Sequence, residues 1–246
     1  MSQNGRLSER VVALTGAGSG LGLLTAQHLL EQGARVIANY RSSADALLAL
    51  QEQHPGALHP IAGDVGDEET AVAIAKQARE LGRLDVLIHN AAIARDRPLI
   101  GMSTDEWDDV IRVNLRGAFL TTKHALKVML RRRYGRVIYV SSIAAVMGNA
   151  GQANYAASKA GLHGLSNAVA QEYSSRGVRS VVLAPGVLDT GLGARLAPEI
   201  QRRKVERTLH GLVDAGSVAA TIAFLAGSDA DFINGAVVRS DGGIVF

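Results

Sequence analysis

Seven short runs rich in Val, Ile, Leu and Ala recur along the chain, and stretches with helical periodicity separate them. They occupy 10–14, 35–40, 84–89, 136–141, 179–184 and 236–239, with a weaker one at 58–62. Strand and helix alternating in this way predict a parallel sheet covered by helices on both faces. The 246 residues, 47% of them hydrophobic, suffice for a full core, and no linker, internal repeat or low-complexity stretch marks a second domain. The expected fold is therefore α/β, a Rossmann-like doubly wound parallel sheet of about seven strands with helices on both faces, as one domain over 1–246. Ligands of such sheets bind beyond the carboxyl ends of the strands. Gly16, Asp64, Asn90, Ser142 and Pro185 each close or follow a different predicted strand, so they are expected on one rim.

The first strand, Arg10-Val11-Val12-Ala13-Leu14, runs into Thr15-Gly16-Ala17-Gly18-Ser19-Gly20-Leu21-Gly22 and then into an amphipathic helical pattern through Leu30. Strand, glycine turn and helix together make a phosphate cradle. Backbone N–H groups at the helix start point at the anion, and glycines let a pyrophosphate approach without a Cβ in the way. The spacing of Gly16, Gly20 and Gly22 is G-x-x-x-G-x-G, not the G-x-G-x-x-G of many dinucleotide sites. The second strand ends about twenty residues later, where such a fold meets the adenosine ribose. An NAD site wants a carboxylate there, whereas this chain has Asn39, Tyr40, Arg41, Ser42 and Ser43. Arg41 can form charge-assisted hydrogen bonds to a 2′-phosphate with serine hydroxyls alongside, which favours NADP(H); the alternative is a solvated surface charge.

Tyr155 and Lys159 are four residues apart and share one face of a predicted helix. A phenol titrating near 10 is a poor acid toward a carbonyl at neutral pH, and a neighbouring ammonium would lower that value. Tyr155 is the candidate general acid in reduction and base in oxidation. Ser142 would donate to a substrate carbonyl where charge develops, with Ser141 as the adjacent competitor. The Tyr-x-x-x-Lys spacing is common by composition and gains meaning only beside the glycine turn and the serine.

With these residues in place, the chain resembles the short-chain dehydrogenase/reductase family and, within it, the 3-oxoacyl-[acyl-carrier-protein] reductases. The resemblance runs from Thr15-Gly16 through Asp64-Val65, His89-Asn90-Ala91-Ala92, Asn114-Leu115-Arg116-Gly117, Ser141-Ser142 and the Gly148–Gly161 segment to Pro185-Gly186, Thr190 and Asp241-Gly242-Gly243. It selects Ser142 over Ser141 and adds Asn114 as the fourth catalytic position, anchoring a water that relays protons to Lys159. It also implies that Lys159 bonds the nicotinamide ribose. Gly16, Ser19, Gly20, Leu21 and Gly22 would then hold the pyrophosphate, Asp64 and Val65 the adenine, and Asn90 and Ala91 the adenosine side. Pro185, Gly186, Val187 and Thr190 would meet the nicotinamide. Asp64 could alternatively cap the helix beginning near Asp67. The stretch 186–213, the least regular of the chain, would be a substrate lid. His89 and Ala92 stand where the family pattern has Asn and Gly; His89 is read as a strand-end residue satisfied by its neighbours, not as a catalyst. Thr208–Asp214 also departs from the pattern.

The implied activity is NADPH-dependent reduction of a 3-oxoacyl thioester, in fatty acid or polyketide-type synthesis. Acyl carrier protein is the implied partner, docked by Arg133 and Arg176 unless these are solvated helix-end charges. The alternatives are another carbonyl or alcohol substrate (a sugar, steroid or polyketide) and a cofactor-binding structural subunit of a mixed oligomer, which the intact Ser142, Tyr155, Lys159 and Asn114 argue against. A homotetramer through helices near 103–131 and 152–176 and the last strand is implied as well. With no Cys, scattered His, a net charge of +3 and 4% aromatics, neither a metal site nor nucleic-acid binding is expected. The polar start and the lack of an apolar run of about eighteen residues predict a cytoplasmic protein with no membrane segment.

Overall fold

The computed structural model describes residues 6–42, 44–194, 202, 206 and 208–244. Seven strands are present: β1 (Val11–Leu14), β2 (Arg35–Tyr40), β3 (Leu58–Ala62), β4 (Val86–His89), β5 (Gly135–Val140), β6 (Val178–Pro185) and β7 (Ala236–Ser240). They form one sheet in the order β3-β2-β1-β4-β5-β6-β7, with every pairing parallel. Each of the seven runs read from the sequence is a strand to within two residues.

The strands are apolar at successive positions because both faces are covered. In β1, Val12 and Leu14 pack into one core with Leu29 of α1 (Gly20–Glu31), while Val11 and Ala13 pack into the other with Ile74 of α3 (Glu68–Glu80). The short α2 (Asp45–Gln53) lies between β2 and β3. The first face is completed by α9 (Ala215–Ala226), through Val218 and Ile222. The second is completed by α5 (Gly117–Arg132) and α7 (Ala153–Tyr173), through Met129 and Leu162. Two four-residue helices, α6 (Ala144–Met147) and α8 (Gly191–Ala194), follow β5 and β6 at the rim.

The predicted long helix near 103–131 has a break in it. It begins as α4 (Thr104–Ile111), opened by a reciprocal Ser103–Glu106 capping box, and then widens into a π segment over Arg112–Arg116 before α5. There the ladder spans five residues, as in the bond from the Gly117 amide to the Arg112 carbonyl.

A charged residue also lies where the strand pattern calls for an apolar one. Arg136 of β5 is buried, donating to the Leu225 and Ala230 carbonyls at 2.8 and 2.7 Å and to Asp231 at 2.8 Å. It ties the sheet to the end of α9.

Candidate active site

The glycine turn joins β1 to α1. Gly16 has φ +68°, and a Cβ there would lie 2.8 Å from the Ala91 Cα; one on Gly22 would lie 2.0 Å from the Gly16 carbonyl oxygen. No acidic side chain occupies the first turn of α1, and Ser19, its N-cap, makes no side-chain capping bond. The helix therefore presents unneutralised N–H dipoles to a cradle that side chains would fill, which suits a pyrophosphate. The cradle is held from β4. The Asn90 amide donates to the Thr15 and Gly16 carbonyls at 3.1 Å each, and the Thr15 hydroxyl accepts from the Asn90 and Ala91 amides at 3.1 Å.

This cradle forms one wall of a cavity of about 690 Å³. At one end lie Arg41, Ser42, Asp64 and Val65, the residues read as the adenosine side; Ser43 falls outside the described residues. Asp64 does not cap α3, whose N-cap is Asp67. Its carboxylate accepts from the Gly66 amide at 2.8 Å and from Arg112 at 3.0 Å, with Arg41 at 3.9 Å. Burial favours the neutral acid, but these bonds and the charges of Arg112 and Arg41 outweigh it and hold the carboxyl below its ordinary range. Arg112 also meets Asp67 at 3.4 Å, so it is held by two carboxylates, while Arg41, only 3.9 Å from Asp64 at its nearest, is the guanidinium that lines the cavity.

At the other end Ser142, Tyr155 and Lys159 line the same cavity, together with Pro185, Gly186, Val187 and Thr190. Ser142 and Ser141 separate cleanly. Ser141 donates to the Lys159 carbonyl at 3.0 Å and meets His163 at 2.9 Å, whereas Ser142 hydrogen-bonds the Tyr155 phenol. Lys159 is buried, donates to the Val140 carbonyl at 2.7 Å and lies 5.7 Å from the centre of the Tyr155 ring.

The expected acidification of Tyr155 is not what its surroundings produce. Desolvation pushes the phenol up to about 12 against the opposing bond from Ser142, while burial brings Lys159 down to about 7. A lysine so close to neutrality exerts little pull on the phenol.

Asn114 sits in the π segment and does not line the cavity. Its side chain accepts from the Ile93 amide at 2.8 Å and donates to the Ile93 carbonyl and to Ser158 at 3.0 Å each. Ser158 in turn donates to the Tyr155 carbonyl at 2.7 Å. Asn114 thus joins the β4 loop to the helix that carries Tyr155 and Lys159.

Arg133 and Arg176 lie elsewhere. They precede β5 and β6, at the ends of the sheet opposite Ser142 and Pro185, and Arg133 donates to the Ser175 carbonyl at 3.1 Å. Across the six residues of β5 the separation is about 20 Å, so within one chain this pair does not border the mouth of the site. In the lid stretch 186–213, residues 195–201, 203–205 and 207 are outside the described residues. Leu188 bridges to Val213, and Thr208 to Ile244.

The sequence reading missed a polar chain in the cavity wall, in which Asn149 donates to Gln152 at 2.6 Å and Gln152 to Asp96 at 2.7 Å. Nothing in the spacing of these residues announces it, because Asp96 comes from a loop after β4. The reading of His89 needs correction too. It is fully buried, but its Nε2 has no hydrogen-bond partner among the described residues.

The family model for short chain dehydrogenases matches residues 10–201. The chain is 36% identical over 244 residues to the 3-oxoacyl-[acyl-carrier-protein] reductase FabG of Thermotoga maritima, covering 98% of this chain and 99% of the relative. It is 38% identical over 244 residues to the 3-oxoacyl-[acyl-carrier-protein] reductase of Synechocystis sp., covering 97% and 98%. Escherichia coli FabG is 34% identical over 237 residues, covering 96% and 97%. With its all-parallel sheet, glycine cradle and matching sequence along nearly its whole length, the chain belongs to the short-chain dehydrogenase family and is an oxidoreductase acting through a nicotinamide cofactor on a CH–OH/C=O pair.

Proposed function

We propose that the protein is an NADPH-dependent reductase of 3-oxoacyl thioesters. The observation that carries this reading is a single cavity with Arg41 and Ser42 at the adenosine end and Ser142, Tyr155 and Lys159 together at the other. Gly16, Ser19, Gly20, Leu21 and Gly22 would hold the pyrophosphate, with Asn90 and Ala91 behind them and Arg41 and Ser42 on the 2′-phosphate. The bound nucleotide supplies the hydride. Tyr155, protonated throughout the neutral range, gives its proton to the carbonyl oxygen, so that C=O plus hydride and proton becomes CH–OH. Ser142 Oγ accepts from the Ala144 amide at 3.2 Å, which orients its hydroxyl so that the proton it gives the Tyr155 phenol can turn to the same carbonyl oxygen. Lys159 re-supplies Tyr155, and Asn114 fixes the helix on which both stand. Ile93, Met147, Leu188 and Leu192 offer the acyl chain an apolar wall.

The relatives named above take substrates on acyl carrier protein, an acidic partner for which Arg133 and Arg176 are suited. Because these arginines lie at the far end of their own sheet, the mouth they serve would be that of a neighbouring copy. A homotetramer fits the surface. The edge strand β7 exposes Val237, Phe224 and Phe232 are exposed nearby, and α5 exposes Phe119. No helix among the described residues is long and apolar enough to cross a membrane, which accords with a cytoplasmic enzyme.

The reading is tested by following NADPH and NADH oxidation with acetoacetyl groups on coenzyme A and on acyl carrier protein. Turnover with NADPH, faster on the carrier protein, is expected. Tight NADPH binding without turnover of either thioester would discard the substrate assignment and leave another carbonyl or alcohol to be found.

A further inference from the structure

His89, where the family pattern has Asn, ends β4 directly behind the catalytic wall. Its Nδ1 lies 3.4 Å from both the Thr15 and the Thr121 hydroxyl oxygens. Counting protons on those hydroxyls settles the tautomer. Thr121 spends its proton on the Gly117 carbonyl at 2.8 Å. Thr15 accepts two amide bonds, from Asn90 and Ala91, so its remaining capacity is one proton to give, and His89 Nδ1 is the acceptor in reach. With Nδ1 accepting, the ring proton sits on Nε2. That N–H is wholly buried and has no hydrogen-bond partner among the described residues, a costly condition for a donor.

Two further groups act on the ring: the main-chain carbonyl of Asn114, which favours a proton on it, and the Lys159 ammonium, whose charge opposes a second one. The Asn114 side chain is fully engaged by Ile93 and Ser158, so its carbonyl is the part of that residue turned toward the ring.

We propose that His89 is a positioning residue of the proton path in this chain, its Nε2–H holding a water shared with the Asn114 carbonyl and Lys159. The inference rests on the roles given above to Lys159 and Asn114. His89 is no proton reservoir. Burial, followed by the charge of Lys159, lowers its pKa to about 3, so the ring stays neutral while the enzyme works and acts by fixing the direction of the water's hydrogen bonds. Histidine reaches further from the strand than asparagine, and the chain thereby gains a donor at a point that main-chain groups alone cannot supply.

The test has one arm independent of turnover. In protein labelled with 15N-histidine, the ring signals of His89, identified by their loss in His89→Asn, should show Nε2 protonated and Nδ1 bare, unchanged down to about pH 5. An Nδ1–H tautomer overturns the proposal whatever the substrate proves to be. In the second arm, His89→Leu should lower kcat about tenfold, the rate equivalent of one lost hydrogen bond, and raise the solvent deuterium isotope effect. KM and NADPH affinity should stay within about twofold, and His89→Asn, which restores a donor, should recover most of the rate. Unchanged kcat and isotope effect in His89→Leu would overturn it. So would equal losses in the two variants accompanied by a common fall in melting temperature, which is the signature of packing alone.

Discussion

Lys159 is an ammonium that the fold keeps almost wholly out of water, with one carbonyl for company. Its pKa of about 7 in the folded chain against 10.5 in an open one means that the unfolded chain binds the extra proton between those values. Stability therefore rises with pH across that window and is lost as pH falls toward 7. Lys159→Met should abolish turnover, raise the melting temperature at pH 7, and erase the rise toward pH 10, as thermal scans at several pH values will show. Tyr155→Phe should lower kcat about 10²- to 10⁴-fold with NADPH binding intact in a fluorescence titration. Arg41→Ala should weaken NADPH about 10- to 100-fold and leave NADH unaffected, since charge-assisted hydrogen bonds contribute about 1.5–3 kcal/mol. Arg112→Gln should move NADPH affinity the same way by a smaller factor, because Asp64 then turns to Arg41. Both are read by titration with the two nucleotides. Tyr155, Lys159 and Arg41 are legible in the sequence because their chemistry is unusual for their place beside a strand or on a helix face. His89, Asp96 and Arg112 are not, since what matters about each is a partner brought from another loop.

The π segment is an element that no periodicity argument foresees, because one extra residue in a turn leaves the apolar spacing of its neighbours almost untouched. It nevertheless places Asn114 against the β4 loop on one side and α7 on the other, so the register of α7 depends on it. The strands and long helices, by contrast, are legible almost to the residue, since burial on both faces writes a continuous apolar run and amphipathic helices write a period of 3.6. The start of α1 is equally explicit. Gly22→Ala would drive a Cβ into the Gly16 carbonyl 2.0 Å away and open the cradle, so NADPH binding should be lost in the same fluorescence titration while the circular dichroism of the sheet and helices survives.

At the scale of the molecule, strand polarity divides the labour between two ends. Gly16, Asp64, Asn90, Ser142 and Pro185 gather at the carboxyl ends, and Arg133 and Arg176 at the amino ends. The convergence of the first group is legible because a parallel sheet turns order in sequence into position on a rim. The distance of the arginines from their own mouth follows from the same rule. Reversing both charges, Arg133→Glu with Arg176→Glu, should raise KM severalfold for the carrier-protein thioester and leave the coenzyme A thioester unaffected in steady-state assays. Equal effects on both substrates would remove the docking role.

The bonds from Asn90 to Thr15 and Gly16 span 75 and 74 positions of the chain. During synthesis the glycine turn thus leaves the ribosome long before the residue that braces it. A nascent chain halted before β4 carries the glycine motif in full and yet has no site for the nucleotide, so the cofactor can act as a ligand that rewards completion of the chain and not as a template on which its first half assembles.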